Sequence, residues 1–315
     1  MLIRREKCPA CGNADRKVLS ETSYSDPGLR GYLSLYYNKA SPNRQAAFLS
    51  GGAFGACLCG ACNLRYQLYT PDDDFMVELY GRWLGPNDPL APHQAHMPLD
   101  HYSYLSQEVH TLLAFLRPRV RGRDRIRILD FGAGWGHWAE FARAYGAEVT
   151  VTELSPAKAD HLLGFGFQVA ATKDLESNSF DFINTEQVVE HLSNPRVVVQ
   201  WLCGLLRRDG VLKLSVPDGT GIDAVLAHWD WSNAYEQRER IMPLQPLEHL
   251  NCFTSASLNR FAGQFGLERL GVPLRAAYSS LVDLDSAKGL VRAVARPIKR
   301  FVFKRGCYGL FQAKA

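Results

Sequence analysis

The chain has 315 residues, of which 46% are apolar and 22% charged, and its formal net charge at pH 7 is +4. This composition excludes a disordered or fibrous protein and leaves room for one large core and a smaller second domain. The balance of 36 Lys and Arg against 32 Asp and Glu is too even to favour nucleic-acid binding by bulk charge.

The amino-terminal residues include charges but are not followed by an apolar segment, so we predict no signal peptide. Apolar residues do not run together over the roughly 18 positions that a membrane span requires. We therefore expect a cytoplasmic protein. Its 8 cysteines then indicate metal ligands or buried thiols rather than disulfides.

Two Cys-x-x-Cys pairs stand in the first part of the chain. Paired thiolates at this spacing are typical of a tetrahedral zinc site of the ribbon type. Four thiolates leave no open coordination position, so the predicted zinc is structural. Cys57 is an alternative ligand, two residues before the second pair. The predicted zinc ligands are Cys8, Cys11, Cys59 and Cys62.

The stretch between the two pairs, residues 24–52, is rich in Tyr, Ser, Gly and Pro. Asp26-Pro27-Gly28 and Ser41-Pro42-Asn43 are typical of turns, so we predict a loop that contains a short helix at 44–49. Residues 85–98 are Pro-rich and mark a predicted domain boundary. We predict a zinc-ribbon domain at 1–70, a helical connector at 71–121 and a large domain at 122–315.

The large domain alternates strand and helix patterns. An amphipathic helix is predicted at 103–116 and precedes the first strand. The alternation predicts an α/β fold with a doubly wound parallel sheet, whose ligand binds at the carboxyl ends of the strands. The predicted strands are 126–131, 148–153, 168–171, 180–185 and 210–216, and the predicted helices are 137–145, 156–163 and 196–206.

The most specific motif follows the first predicted strand. Asp130 ends that strand, and glycines then occupy alternate positions at Gly132, Gly134 and Gly136. Glycines in a turn before a helix let the backbone approach a nucleotide-like ligand. A dinucleotide motif would need a further glycine where the chain has His137, so the pattern favours another cofactor.

This motif resembles the first motif of class I S-adenosylmethionine-dependent methyltransferases. Similar elements of that family follow in the same order, including an acid at the end of the second strand and the segments 187–192 and 246–254. A branch of the family also carries an N-terminal zinc ribbon. The resemblance implies a Rossmann-like seven-stranded sheet whose last strand is antiparallel, with 267–272 and 308–313 as its closing hairpin.

The resemblance also implies roles for single residues. Glu153 would accept the ribose hydroxyls and Asp174 the adenine amino group. His249 and His191 are the candidate bases, and we prefer His249 because it lies in the part of the chain expected to face the acceptor; a structural role for His191 stays open. The implied cofactor-binding residues are Asp130, Gly132, Gly134, Gly136, Glu153, Asp174, Glu186 and Gln187.

The acceptor is the least specific prediction. We expect methyl transfer to a small molecule or a glycan, at a hydroxyl oxygen, in polysaccharide biosynthesis. Trp229, Trp231 and Tyr235 supply aromatic faces for a sugar or belong to the core. An RNA or protein acceptor, or a non-catalytic cofactor-binding or zinc-ribbon module, is the alternative. Against nucleic acid, residues 184–187 lack the Asn-Pro-Pro-aromatic sequence that base-methylating enzymes use.

Residues 286–305 interleave basic and apolar residues with the period of an amphipathic helix, which Pro297 should kink or divide. A solvated helix packed before the last strand explains this pattern. Contact with an anionic membrane surface or a lipid-linked glycan also explains it.

Overall fold

The structure of the protein is a computed structural model and describes residues 1–84, 98–120, 122–278, 287–303 and 306–313. The chain divides into two compact units. The first unit comprises Met1–Pro89, Val189–Val198 and Val216–Phe261, and the second comprises Leu90–Val188, Val199–Ser215 and Ala262–Ala315. Residues 85–97 of the predicted domain boundary lie outside the described residues, as do residues 286, 304 and 305 of the predicted amphipathic segment.

Strands and helices follow one another along the described residues. The strands are β1 (Leu2–Arg4), β2 (Arg16–Ser23), β3 (Ala53–Cys59), β4 (Arg65–Gln67), β5 (Tyr69–Pro71), β6 (Arg127–Phe131), β7 (Glu148–Thr152), β8 (Gln168–Val169), β9 (Phe180–Glu186), β10 (Leu206–Ser215), β11 (Asn251–Cys252), β12 (Leu267–Arg269) and β13 (Tyr308–Ala313). The α-helices are α1 (Pro27–Tyr36), α2 (Pro42–Leu49), α3 (Asp73–Glu78), α4 (Leu99–Leu116), α5 (His137–Ala144), α6 (Pro156–Gly164), α7 (Pro195–Leu205), α8 (Ile222–Ala227), α9 (Ser255–Gly263), α10 (Leu274–Ala277) and α11 (Ala287–Pro297).

The second unit is built on a seven-stranded sheet with the order β12-β13-β10-β9-β6-β7-β8. Strands β6 to β10 pair in parallel, and β13 runs antiparallel to both β10 and β12. The predicted Rossmann-like sheet with an antiparallel last strand is therefore confirmed. The carboxyl ends of β6, β7 and β9 are neighbours, so residues at these ends come together.

Helix α4 covers this sheet with the apolar face that its sequence predicts, and it begins four residues earlier than predicted, at Leu99. Val109, Leu112 and Leu116 are buried and belong to one core cluster with Ile128 of β6. Each such side chain contributes about 1.5–3 kcal/mol on full burial. The helix is thereby fixed to the strand that leads into the Gly-rich turn.

The first unit contains two smaller sheets. Strands β11, β4, β3 and β2 form a four-stranded antiparallel sheet in that order, and β1 pairs with β5. Strand β11 brings residues 251–252 beside β4, although some 185 positions of sequence separate them. This pairing makes a late segment of the chain part of the first unit.

The stretch 24–52 contains two helices, so the predicted loop is wrong while the short helix at 44–49 is confirmed within α2. The side chains of Asp26 and Ser41 accept hydrogen bonds from backbone N–H groups three residues later, and a proline follows each of them. Asp-Pro and Ser-Pro act here as a helix cap followed by a first helical residue. The same dipeptides also start turns, which explains the error.

Helix α11 includes Pro297 and continues directly as a π-helical turn, Ile298–Val302, so helical backbone runs through the predicted point of division and only the type of helix changes there. Arg292 lies 3.4 Å from the carboxylate of Asp100, and Arg300 lies 3.4 Å from that of Glu108. These two arginines of the predicted basic face thus bind acidic groups of α4. Among the described residues no helix has both the length and the apolar character needed to cross a membrane.

Candidate functional site

The Gly-rich turn connects β6 to α5 in the second unit. Gly132, Gly134 and Gly136 have φ values of +74°, +58° and +85°, a region that residues with a side chain rarely adopt. A Cβ at Gly132 would lie 2.8 Å from Val188, and one at Gly136 would lie 2.5 Å from Leu162. A Cβ at Gly134 would meet no described atom within 4 Å. Gly134 is therefore where the turn is open toward a ligand.

Glu153 holds this turn from the neighbouring strand. Its two carboxylate oxygens each accept a backbone hydrogen bond of 2.8 Å, one from Gly134 and one from Ser155. Thr152 adds backbone and hydroxyl acceptors for the N–H of Gly132. Glu153, the residue implied to bind the ribose, thus also stabilises the Gly-rich turn. The remaining lone pairs of its carboxylate stay available to a ligand.

Asp130 lies on β6, within the sheet, and its side chain is buried, with 2% of the residue exposed. Its Oδ1 accepts a 2.7 Å hydrogen bond from the side chain of Asn184, the adjacent residue on β9. In the part of the chain that the structure describes, neither Asp130 Oδ2 nor Asn184 Oδ1 has a hydrogen-bond partner. Burial raises the pKa of Asp130 to about 7, despite the opposing hydrogen bond from Asn184. A hydrogen-bond donor from a ligand, or a proton on the carboxylate, would satisfy Asp130 Oδ2.

Glu186 is the last residue of β9 and meets a buried lysine. Its Oε2 lies 2.5 Å from Lys213 Nζ, and its Oε1 accepts a 3.0 Å hydrogen bond from Ser215. Lys213 is fully buried and also lies 3.1 Å from Glu108. Burial alone disfavours the ammonium ion, but the two carboxylates outweigh it and raise the pKa of Lys213. Lys213 was not predicted, although a lysine within the apolar run 211–216 is a signal that the sequence contains.

The remaining implied cofactor residues occupy different surroundings. Gln187 follows Glu186 directly and adopts φ +55°, while its N–H donates to the carbonyl of Ser215. Asp174 is exposed at the end of a 3₁₀ turn, Thr172–Asp174, after β8. A non-glycine residue with positive φ is uncommon and marks a backbone that its neighbours hold in place.

In the first unit the two predicted histidines lie together. The ring centroids of His191 and His249 are 4.7 Å apart, with the rings nearly perpendicular. Tyr80, a residue without any predictive signal in the sequence, lies with its hydroxyl 2.9 Å from His191 Nδ1. The fold thus brings together histidines from two motifs and a tyrosine from a third segment.

His249 is nine-tenths buried, and its Nδ1 contacts the carbonyl of Met242. Since a carbonyl only accepts, this contact places the proton on Nδ1 and the lone pair on Nε2. Burial lowers the pKa of His249 to about 4. The imidazole is therefore neutral at neutral pH. The adjacent Glu248 accepts a 2.8 Å hydrogen bond from Tyr37 through its carboxylate.

The aromatic residues proposed to contact a sugar differ in how far they are buried. Trp231 is 8% exposed and packs against Tyr32 and Phe54, so it belongs to the core of the first unit. Tyr235 is partly buried at the edge of the same cluster, and Tyr80 is 41% exposed. Tyr80 is thus the more accessible aromatic surface, and it lies beside the histidine pair.

Four cysteines of the first unit form a compact cluster. Cys8 Sγ lies 3.6 Å from Cys62 Sγ, and Cys11 Sγ lies 3.5 Å from Cys59 Sγ. All four sulfur atoms lie within 4.8 Å of one another, and Cys57 is outside this cluster. Sulfur atoms around a tetrahedral zinc ion with bonds of about 2.3 Å would be about 3.8 Å apart. The cluster therefore has the dimensions of a zinc site.

Comparison with known families relates this arrangement to other proteins. The family described as "Methyltransferase domain" matches residues 96–270. This match covers more than half of the chain and includes the Gly-rich turn and both histidine motifs. The chain belongs to this methyltransferase family. The predicted class I S-adenosylmethionine-dependent methyltransferase is thus confirmed at the level of the family, and its zinc-ribbon branch stays a prediction.

Curated relatives of this methyltransferase chain are named ubiquinone biosynthesis O-methyltransferases. The relative from Xanthomonas axonopodis pv. citri (strain 306) is 29% identical over 165 residues, which are 49% of this chain and 64% of the relative. The relative from Glaesserella parasuis serovar 5 (strain SH0165) is 27% identical over 124 residues, which are 34% of this chain and 52% of the relative. The chain thus spans between half and two thirds of the length of these relatives.

Solved structures with a related fold are also methyltransferases. The plantazolicin methyltransferase BpumL in complex with SAH is 11% identical with a TM-score of 0.46, and the match covers 76% of this chain and 93% of that one. A SAM dependent methyltransferase from Archaeoglobus fulgidus is 15% identical with a TM-score of 0.41, covering 77% and 100%. Similarity at this level carries no information on the acceptor.

Proposed function

We propose that the protein transfers a methyl group from S-adenosylmethionine to a hydroxyl oxygen of a small-molecule acceptor, with a glycan as the preferred class. The family assignment and the O-methyltransferase names of the relatives support the reaction. The observation that carries the proposal is the neutral imidazole of His249, whose Nδ1 contacts a carbonyl and whose Nε2 keeps its lone pair. The partly exposed ring of Tyr80 beside the histidines favours a sugar or another flat acceptor.

The residues of the second unit fit the donor. S-adenosylmethionine, when bound, supplies a methyl group on a positively charged sulfur, which an acceptor oxygen attacks in line. The open backbone at Gly134 would lie against the donor, and Glu153 and Asp174 would accept hydrogen bonds from its ribose and adenine. The unsatisfied Oδ2 of Asp130 would accept from its amino group, directly or through water. Glu186 and Gln187 would border the methyl group.

His249 is the proposed proton acceptor as long as its Nε2 binds no metal ion. Its fixed tautomer presents Nε2 to the acceptor hydroxyl, and His191 provides a second imidazole beside it. A base whose pKa is near 4 takes a proton from a hydroxyl with little driving force.

The cysteine cluster is proposed to hold a structural zinc ion through Cys8, Cys11, Cys59 and Cys62. The sulfur separations of 3.5 and 3.6 Å support this assignment. Four thiolates would fill the coordination sphere, so the ion would stabilise β3 and the adjoining loops without taking part in methyl transfer.

The proposal is tested by incubating the protein with methyl-labelled S-adenosylmethionine and fractionated cell extract. We expect label in a glycan or small-molecule fraction, released by treatments that cleave methyl ethers, and no label with His249→Gln. Label found only in protein or RNA would contradict the acceptor class. Equal labelling by His249→Gln would contradict the role of His249.

A further inference from the structure

Three potential metal ligands lie together in the first unit. Glu190, His191 and His249 each offer one ligand atom, and these atoms lie within 4.8 Å of one another. Ligands around a tetrahedral ion with bonds of about 2.1 Å are about 3.4 Å apart. His191 Nε2 already lies 3.8 Å from Glu190 Oε1. Side-chain shifts of roughly an ångström would close this group around a cation.

Both imidazoles are oriented as metal-binding histidines are. His249 Nδ1 contacts the carbonyl of Met242, and His191 Nδ1 lies 3.1 Å from the carbonyl of Glu248. A backbone carbonyl accepts hydrogen bonds only, so each contact favours a proton on Nδ1 and a lone pair on Nε2. The Tyr80 hydroxyl, 2.9 Å from His191 Nδ1, can accept the same proton. Histidines that bind metals through one nitrogen usually donate the other N–H to such a carbonyl.

The carboxylate adds negative charge to the two neutral imidazoles. The Glu190 side chain is fully buried, and its Oε1 faces His191 Nε2. A carboxylate oxygen and two imidazole nitrogens are ligands that a divalent first-row cation takes in proteins. A divalent cation bound here would lie against the carboxylate and use both Nε2 lone pairs.

A rigid support holds the two segments that carry these ligands. The Asn251 side chain donates to the carbonyls of Val189, Glu190 and Leu192, at 3.1, 3.3 and 2.7 Å. The guanidinium of Arg5 donates to the carbonyls of Ser193 and Leu250, at 2.9 and 3.1 Å. The backbones of both ligand segments are therefore fixed before any ligand binds, which reduces the entropic cost of binding.

We propose that Glu190, His191 and His249 bind one first-row divalent cation. Two imidazoles and one carboxylate suit Zn²⁺, whereas Mg²⁺ and Ca²⁺ prefer oxygen ligands throughout. Three protein ligands leave one position open, as in catalytic zinc sites. This site is distinct from the cysteine cluster, which offers four thiolates and no open position.

The catalytic consequence rests on the proposed function. An acceptor hydroxyl bound at the open position becomes more acidic, and its proton passes to water when the O–H bond breaks. The oxygen then carries the electron pair that attacks the methyl group. With the cation bound, His249 Nε2 is a ligand, so water takes the proton in place of His249. The cation thus acidifies the hydroxyl directly.

Cobalt binding tests the site on the full chain. The cysteine cluster is first filled with one equivalent of Zn²⁺, and the protein is then titrated with Co²⁺. We expect one Co²⁺ per chain, with d–d absorption but without a thiolate-to-cobalt charge-transfer band. Glu190→Gln and His249→Gln should each weaken Co²⁺ binding by about 100-fold or more, while the exposed His228→Gln should leave it unchanged. His191→Gln, on a partly exposed side chain, is the variant least prone to misfold.

The outcomes separate this inference from the proposed function. Wild-type protein that binds no Co²⁺ beyond the zinc, or binding that persists in folded His191→Gln and Glu190→Gln, would overturn the metal site. Unchanged turnover after removal of the second metal would overturn its catalytic role but leave His249 as the base. Absence of any labelled acceptor, with Co²⁺ binding intact, would overturn only the proposed function.

Discussion

The two clusters of functional side chains in this protein are assembled differently. In the second unit Asp130, the Gly-rich turn and Glu153 lie within 24 residues of sequence, and a 2.8 Å hydrogen bond joins Gly134 of the turn to Glu153. In the first unit the histidine cluster takes Tyr80, His191 and His249 from three distant segments. The donor site can therefore be recognised in the sequence, because its residues form one contiguous motif. The histidine cluster cannot, because its residues come together only when the first unit folds.

The assembled cluster should give the largest effect on turnover. We expect His249→Gln to lower turnover by about 10²–10⁴-fold, since it removes either a proton acceptor or a metal ligand. Affinity for S-adenosylmethionine should change by less than about twofold, because the implied donor residues lie in the other unit. Steady-state kinetics and donor titration by calorimetry measure both. His228→Gln is the matched control, and a loss confined to donor affinity would contradict the division of roles.

The cysteine cluster should affect stability rather than chemistry. Cys59→Ser should lower the zinc content by one ion per chain and destabilise the first unit by several kcal/mol, because metal binding contributes to folding. Native mass spectrometry and thermal unfolding measure these changes. Cys57→Ser removes a buried thiol outside the cluster and should keep the zinc. Equal zinc loss in both variants would refute the ligand assignment.

A substitution in the contiguous motif should weaken binding of the donor, S-adenosylmethionine. Glu153→Ala leaves the N–H groups of Gly134 and Ser155 without their acceptor and removes the implied ribose contact. We expect the donor dissociation constant to rise about 10–100-fold, which corresponds to the loss of charged hydrogen bonds. Turnover at saturating donor should fall by less than about threefold. The exposed Glu148→Ala, on the strand that Glu153 directly follows, is the control, and equal affinities in the two variants would argue against the role of Glu153.

The smallest effect expected is a pH dependence through Asp130. Its pKa of about 7 in the fold exceeds the value of about 3.9 expected in the unfolded chain. Its contribution to stability is therefore largest at low pH and falls as pH rises from about 4 through about 7. A cationic donor favours the carboxylate, so donor affinity should rise up to tenfold between about pH 6 and about pH 8.

Calorimetry across this pH range checks the prediction with Asp130→Asn as the comparison. The variant does not titrate and should give a flat pH profile. An unchanged slope in Asp130→Asn would assign the pH dependence to another group.

Much of the fold was predictable because the information is local. The strands and helices of the second unit agree with their predicted ranges to within a few residues, since hydrophobic period and glycine punctuation specify them. The exception, the stretch 24–52, shows the limit of local information. Asp-Pro and Ser-Pro start both turns and helices, and the choice depends on burial of Leu29, Tyr32 and Leu33 against the rest of the first unit.

The sequence by itself determined the parallel sheet, the glycine turn after Asp130 and the two cysteine pairs. Each of these depends on the spacing of residues near one another in the chain. Only the tertiary structure decided that Lys213 is buried between Glu108 and Glu186, and that Tyr80 and Glu190 join the two histidines. Pairing between distant segments arises from the packing of whole elements, and no local spacing encodes it.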